Sequence, residues 1–180
     1  MKKLILIFTF LIVGLVQSNA QMLKFGIKAG ANFASLDGDG VQGLDTYTSF
    51  HFGALVELKV FENFSLQPEL LYSSQGAKVS EENVKDINFN YITVPTLAKF
   101  YLISDKLSIE AGPQFSFLIN ESVPDQFESE SFDFAAVGGL GLNITDHFFA
   151  QARYVLSLTE ASKEAEVKNR VIQVALGYRF

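Results

Sequence analysis

From residue 23 to the end of the chain, apolar side chains return at every second position, the period of a β-strand with one apolar face. The first such segment sets Phe25, Ile27, Ala29, Ala31 and Phe33 against Lys24, Gly26, Lys28, Gly30 and Asn32. The last sets Ile172, Val174, Leu176, Tyr178 and Phe180 against Gln173, Ala175, Gly177 and Arg179. Six more lie between them, with apolar positions opening at Phe50, Leu66, Ile92, Leu107, Phe132 and Ala150. The pattern predicts eight strands, and no helical period of useful length interrupts them.

The connections alternate in length. Short turns are predicted at Phe61-Glu62-Asn63, Ile103 to Lys106 and Thr145-Asp146-His147. Long ones are predicted over about 36–48, 76–88, 120–131 and 159–169. Short turns at one rim and long loops at the other are the pattern of an outer-membrane barrel, periplasm against exterior. The expectation is an all-β fold, an eight-stranded antiparallel up-and-down transmembrane β-barrel with short periplasmic turns and long extracellular loops.

Alternation by itself also fits a soluble barrel that is apolar inside, so the kind of residue on the polar face has to decide. That face carries Gly26, Gly30, Gly53, Gly112, Gly139, Gly141 and Gly177. Glycine packs nothing and weakens a solvated strand, but it suits strands crowding a narrow lumen. The opposite face is bulky and uncharged, as lipid requires. Its aromatics group in two bands: Phe25, Phe61, Phe64, Phe100, Phe148 and Phe180 beside the short turns. Phe33, Phe50, Phe52, Tyr72, Phe89, Phe115, Phe117, Phe132 and Phe134 stand toward the long loops. Such bands mark the two interfaces of a bilayer.

The first twenty residues change the picture. Lys2 and Lys3 precede an apolar run from Leu4 to Val16, and Ser18-Asn19-Ala20 puts small residues where a signal peptidase reads. This predicts a signal peptide over residues 1–20, cleavage between Ala20 and Gln21, and one barrel domain over 21–180. The run is shorter than the ~20 residues that span a bilayer, which disfavours a retained anchor. With no cysteine, there is no lipoprotein anchor, disulfide or thiolate metal site. Cleavage would take the formal charge from −6 to −8, which leaves no electrostatic footprint for nucleic acid.

The segments that carry a family resemblance are Phe25 to Phe33, Leu66-Gln67-Pro68-Glu69-Leu70-Leu71-Tyr72, Tyr91-Ile92-Thr93-Val94-Pro95 and Val174 to Phe180. Together, and in this order, they resemble the outer-membrane β-barrel domain family that includes PorT-like proteins, and more distantly the small OmpA- and OmpX-type barrels. The resemblance implies location in the outer membrane of a double-membraned bacterium. It also implies that Tyr178 and Phe180 stand where the barrel-assembly machinery reads a terminal aromatic strand. It implies no particular activity.

The polar face also holds Lys28, Glu57, Lys59, Glu69, Lys99, Glu110, Arg153 and Arg179, with Asp133 beside them. An eight-stranded barrel is just wide enough for its own side chains, and a buried unpaired ion is costly. These charges are therefore expected to pair as a structural network inside the barrel, and a narrow polar path is the alternative. For catalysis the candidates are thin: His51 with Ser49 on the same face and Glu57 deeper, and His147 in a short turn. No convincing nucleophile and base emerge, so no enzyme, cofactor or metal is expected.

Fourteen of the 20 carboxylates fall in or beside the long loops. Asp37-Gly38-Asp39-Gly40 lacks the distal Glu and helix frame of a calcium loop and reads as a turn. The reading that follows is a non-enzymatic integral barrel that acts through acidic surface loops. Its partners would be outer-membrane lipids, the assembly machinery and an unknown extracellular or periplasmic molecule. The alternatives are a barrel that binds or transports a small solute or apolar ligand and, more remotely, a lipid-modifying enzyme.

Overall fold

The computed structural model describes residues 23–38, 44–79, 87–103, 105–122, 131–159 and 167–180. The expected signal peptide and its cleavage position fall outside them. Eight strands run in chain order: β1 (Leu23–Gly38), β2 (Leu44–Phe61), β3 (Phe64–Val79) and β4 (Ile87–Ile103). They continue as β5 (Leu107–Ser122), β6 (Phe132–Asn143), β7 (Phe148–Ser157) and β8 (Val167–Arg179). Each is antiparallel to the next, and β1 pairs with β8 to close the barrel. Closure leaves no edge to meet hydrocarbon, and antiparallel pairing satisfies the backbone within the wall. No helix among the described residues is long and apolar enough to cross a membrane; the strands do that work.

The facing follows the period-two pattern, except that Ser73, Ser74 and Gln75 on β3 are buried in succession. Phe25, Ile27, Phe50, Phe52, Leu70, Ile109, Phe115, Leu140, Ile172, Val174 and Leu176 are exposed on the outer wall. Lys28, Asn32, His51, Glu57, Gln67, Glu69, Lys99, Glu110, Gln114, Gln151, Arg153, Gln173 and Arg179 are buried inside. Large apolar groups outside and ionic groups inside reverse the order of a soluble protein, and only a lipid surround makes that arrangement stable.

The aromatic bands form with one exception. Phe50, Phe52 and Tyr72 stack at 5.4–6.2 Å on β2 and β3, and Phe115, Phe117, Phe132 and Phe134 cluster on β5 and β6. Phe148, Tyr178 and Phe180 make edge-on contacts at the short-turn rim. Phe89 does not join the outer band. It is buried, because it shares the inward parity of Tyr91 on β4.

The long connections are shorter than the pattern predicts. The ladder between β1 and β8 continues to Gly38↔Val167, and β2 with β3 reaches Leu44↔Val79. Asp37 and Gly38 are therefore strand residues, not part of a turn. Beyond the bilayer both faces of a strand meet water, so pairing persists after the alternation that signals it has faded. β1 to β5 are 16–18 residues long and β6 to β8 only 10–13. Crossing a bilayer takes ~9–11. The wall therefore stands taller on one side of the barrel.

Candidate functional site in the barrel lumen

Seven of the eight expected interior charges form one continuous chain of alternating sign. Lys28 Nζ lies 2.8 Å from Glu69 Oε2, and Glu69 Oε1 lies 2.7 Å from Arg153 Nη2. Arg153 continues to Glu110 at 2.9 Å, and Glu110 to Lys99 at 3.5 Å. Lys99 then meets Glu57 at 3.4 Å, and Glu57 meets Arg179 at 3.2 Å. Each carboxylate is thus held by two cations. Arg153 from β7 reaches Glu69 on β3, the opposite wall, with two guanidinium nitrogens donating at 2.9 and 2.7 Å. Such a fork matches a carboxylate in shape as well as charge.

Glycine makes the crossing possible. In register, Gly139 on β6 stands between Glu110 and Arg153, so the two charges meet across a strand that presents no side chain. A Cβ on Gly139 would lie 2.7 Å from Arg153 Cγ, and one on Gly141 would lie 2.4 Å from Glu110 Oε1. Neutral groups complete the shells. Gln151 donates to Glu110 at 2.9 Å, Gln67 donates to Glu69 at 2.6 Å, and the Tyr101 hydroxyl donates to Glu57. Phe149 packs against Gly177 and carries the Arg179 guanidinium over its ring.

Lys59 is the exception. It pairs with Asp105 at 2.9 Å in the β4–β5 turn, at a partly exposed position in the short-turn mouth. It faces inward, but it stands two residues from the end of β2, beside a register shift, and so misses the buried chain. Asp105 has φ 57°, a conformation aspartate tolerates in a tight turn. Asp133 also stands apart from the chain and accepts hydrogen bonds from Thr159 and Ser157 near the other rim.

Above the charges lies a tier that the sequence pattern did not single out. Leu97, Val137, Val155, Val171, Ala34 and Ala135 are buried as one apolar cluster across the lumen. Leu97 stands two residues from Lys99 on β4, and Val155 two residues from Arg153 on β7, in each case toward the long loops. The available signal was parity, since all six occupy inward positions. On β1 and β8 the lining between the charges and this cluster is amide, and hydroxyls of β3 meet it. Asn32 Nδ2 donates to Ser73 Oγ and the Ser74 carbonyl, while its Oδ1 accepts from Gln173.

The candidate catalytic grouping does not assemble. His51 Nδ1 meets Asn32 Oδ1 at 2.7 Å, and the Ser49 hydroxyl donates to the Ser74 carbonyl. His147 is exposed in its turn, stacks on Tyr178 and engages the Arg179 carbonyl through Nδ1. Among the described residues, no group of three His, Asp or Glu is placed to hold a metal ion. Tyr178 and Phe180 lie on the lipid-facing side of the terminal strand, beside Phe148.

A closed antiparallel barrel with eight strands, an apolar belt and an ion-paired interior is the architecture of a small outer-membrane protein. Residues 16–163 match the family model described as the outer membrane protein beta-barrel domain, and the chain belongs to that family. Membership places it in the outer membrane. Solved structures with the same fold include Ail, the attachment invasion locus protein of Yersinia pestis. It is 21% identical, covers 89% of this chain and 100% of its own, and has a TM-score of 0.61. Neisserial surface protein A is 15% identical, with coverage of 87% and 97% and a TM-score of 0.62. OprG from Pseudomonas aeruginosa is 13% identical, with coverage of 87% and 95% and a TM-score of 0.53. At such identities the likeness speaks to the fold alone. The chain matches no curated protein sequence.

Proposed function

We propose that this chain is a non-enzymatic outer-membrane barrel whose lumen is closed to solutes and which acts through its extracellular rim. The observation that carries this reading is the filling of the lumen at two levels, by the seven-charge chain and by the apolar cluster above it. A solute would have to break ion pairs in a low-dielectric interior and then wet an aliphatic constriction. In planar lipid bilayers the purified barrel is expected to give no reproducible single-channel steps. Steady steps above background would overturn the closed-lumen reading in favour of a conduit.

The same reading takes the protein to the membrane as an exported precursor cleaved between Ala20 and Gln21, with Tyr178 and Phe180 presented to the barrel-assembly machinery. The segments joining the strands on the exterior are rich in carboxylates, among them Glu81, Glu82, Asp125, Glu128, Glu160 and Glu164. Ail has been solved in complex with a heparin analogue, sucrose octasulfate. An acidic rim repels such a sulfated sugar unless a divalent cation bridges them. Binding of nanodisc-embedded protein to heparin is expected only when calcium is present. Calcium-independent binding would sink the bridging reading.

A further inference from the structure

We propose that a groove on the lipid-facing wall holds an acyl chain of one phospholipid from the periplasmic leaflet. The groove has a volume of about 850 Å³ and crosses β7, β8, β1 and β2 toward the short-turn rim. Pairing explains its shape. Ala29 sits in register between Phe52 on β2 and Leu176 on β8, and Ala54 sits beside Ile27. Two methyl-sized side chains therefore lie among neighbours several carbons tall, which leaves a trough with Phe52, Leu176, Phe148 and Tyr178 as its walls.

The occupant is argued from place and polarity. The trough lies within the belt of exposed apolar side chains, where hydrocarbon is the solvent. Apart from Lys28, whose ammonium turns into the lumen to Glu69, its lining is apolar except at one end, where Thr145 and the β6–β7 turn close it. The exposed His147 stands on Tyr178 at that same end, with Nδ1 donating to the Arg179 carbonyl, so that Nε2 remains to accept from the ammonium of an ethanolamine headgroup. A site that is greasy along its length and polar at one tip suits an amphiphile. A second barrel presents a convex wall, which meets this one along a line and leaves a trough unfilled. The inference rests on short turns facing the periplasm and is independent of whether the lumen conducts.

The test uses the full mature barrel in nanodiscs of phosphatidylethanolamine with a photoreactive group midway along one acyl chain. Cross-links mapped by mass spectrometry are expected to concentrate on the groove. Ala54→Phe fills the trough on an exposed wall position and is expected to cut groove labelling about tenfold, equivalent to roughly 1.4 kcal/mol. Ala136→Phe, exposed on β6 and outside the groove, is expected to leave it unchanged. Both variants should keep the heat-modifiable gel shift of a folded barrel. His147→Ala is expected to weaken labelling by the phospholipid. Labels spread evenly around the wall, or groove labelling indifferent to Ala54→Phe, would overturn the proposal. Equal labelling by a photoreactive fatty acid, or barrel-to-barrel cross-links at the groove, would overturn it as well.

Discussion

On β7, Arg153 and Val155 point into the same lumen two residues apart, and each is buried. Arg153 is fixed by Glu69 and Glu110, whose oxygens meet its nitrogens at 2.7–3.0 Å. Val155 is fixed by nothing directional; it lies with Val171, Val137 and Leu97. The two tiers fill one tube by opposite means. An ionic tier is specific, because each member is costly to bury without its partner, whereas an apolar tier accepts any filling of the right volume. The inside of a membrane barrel thus need not be uniformly polar; it need only be full and satisfied.

The hardest blow falls on the centre of the charge chain. Arg153→Met leaves Glu69 with Lys28 alone and Glu110 with Lys99 alone, and breaking a buried pair typically costs about 3–5 kcal/mol. Urea unfolding in detergent should register a loss of that size, and a shift below 1 kcal/mol would mean the chain contributes little. In the apolar tier, Leu97→Ala is expected to cost about 2–5 kcal/mol, toward the lower end if the cluster collapses. The barrel should still be silent in planar bilayers, because the charges below remain. Channel activity in this variant would show the apolar tier to be the true barrier.

The outer wall sharpens the contrast from the other side. Val174→Arg puts a charge on the lipid face, level with Ala31 and Ala152 between the aromatic bands, at a cost of about 2–4 kcal/mol near the midplane. Its folding yield into vesicles should fall accordingly, and full tolerance would contradict the facing. The smallest effect is expected at the mouth. Lys59→Ala removes a partly exposed pair worth about 0–1 kcal/mol, so its urea midpoint should scarcely move. A loss comparable to that of Arg153→Met would place Lys59 in the buried network after all.

How much of this was legible depends on what each residue has to satisfy. Strand number, the exposed wall and the buried set from Lys28 to Arg179 follow from the period-two pattern, because a strand has only two faces and lipid accepts only one kind. Parity should also have excluded Phe89 from the outer band, since it shares a face with Tyr91; its aromatic character obscured that. The seven-membered chain could not be ordered in advance. Glu69 and Arg153 lie 84 residues apart and meet only because β3 and β7 face each other across the lumen. Nor could the apolar tier be read, because valine at an inward position looks the same in a sequence whether it fills a core or lines a gap.

By itself, then, the sequence determined direction, meaning which side chains turn to hydrocarbon and which to the axis. Alternation is a local consequence of pleated backbone and needs no partner. The tertiary structure alone decided level. Closing β8 onto β1 fixes the stagger of all eight strands, and that stagger brings three carboxylates between four cations, sets aliphatic side chains above them, and leaves Lys59 at the mouth. Height in a tilted, closed sheet is a property of the whole ring, so no single strand carries it.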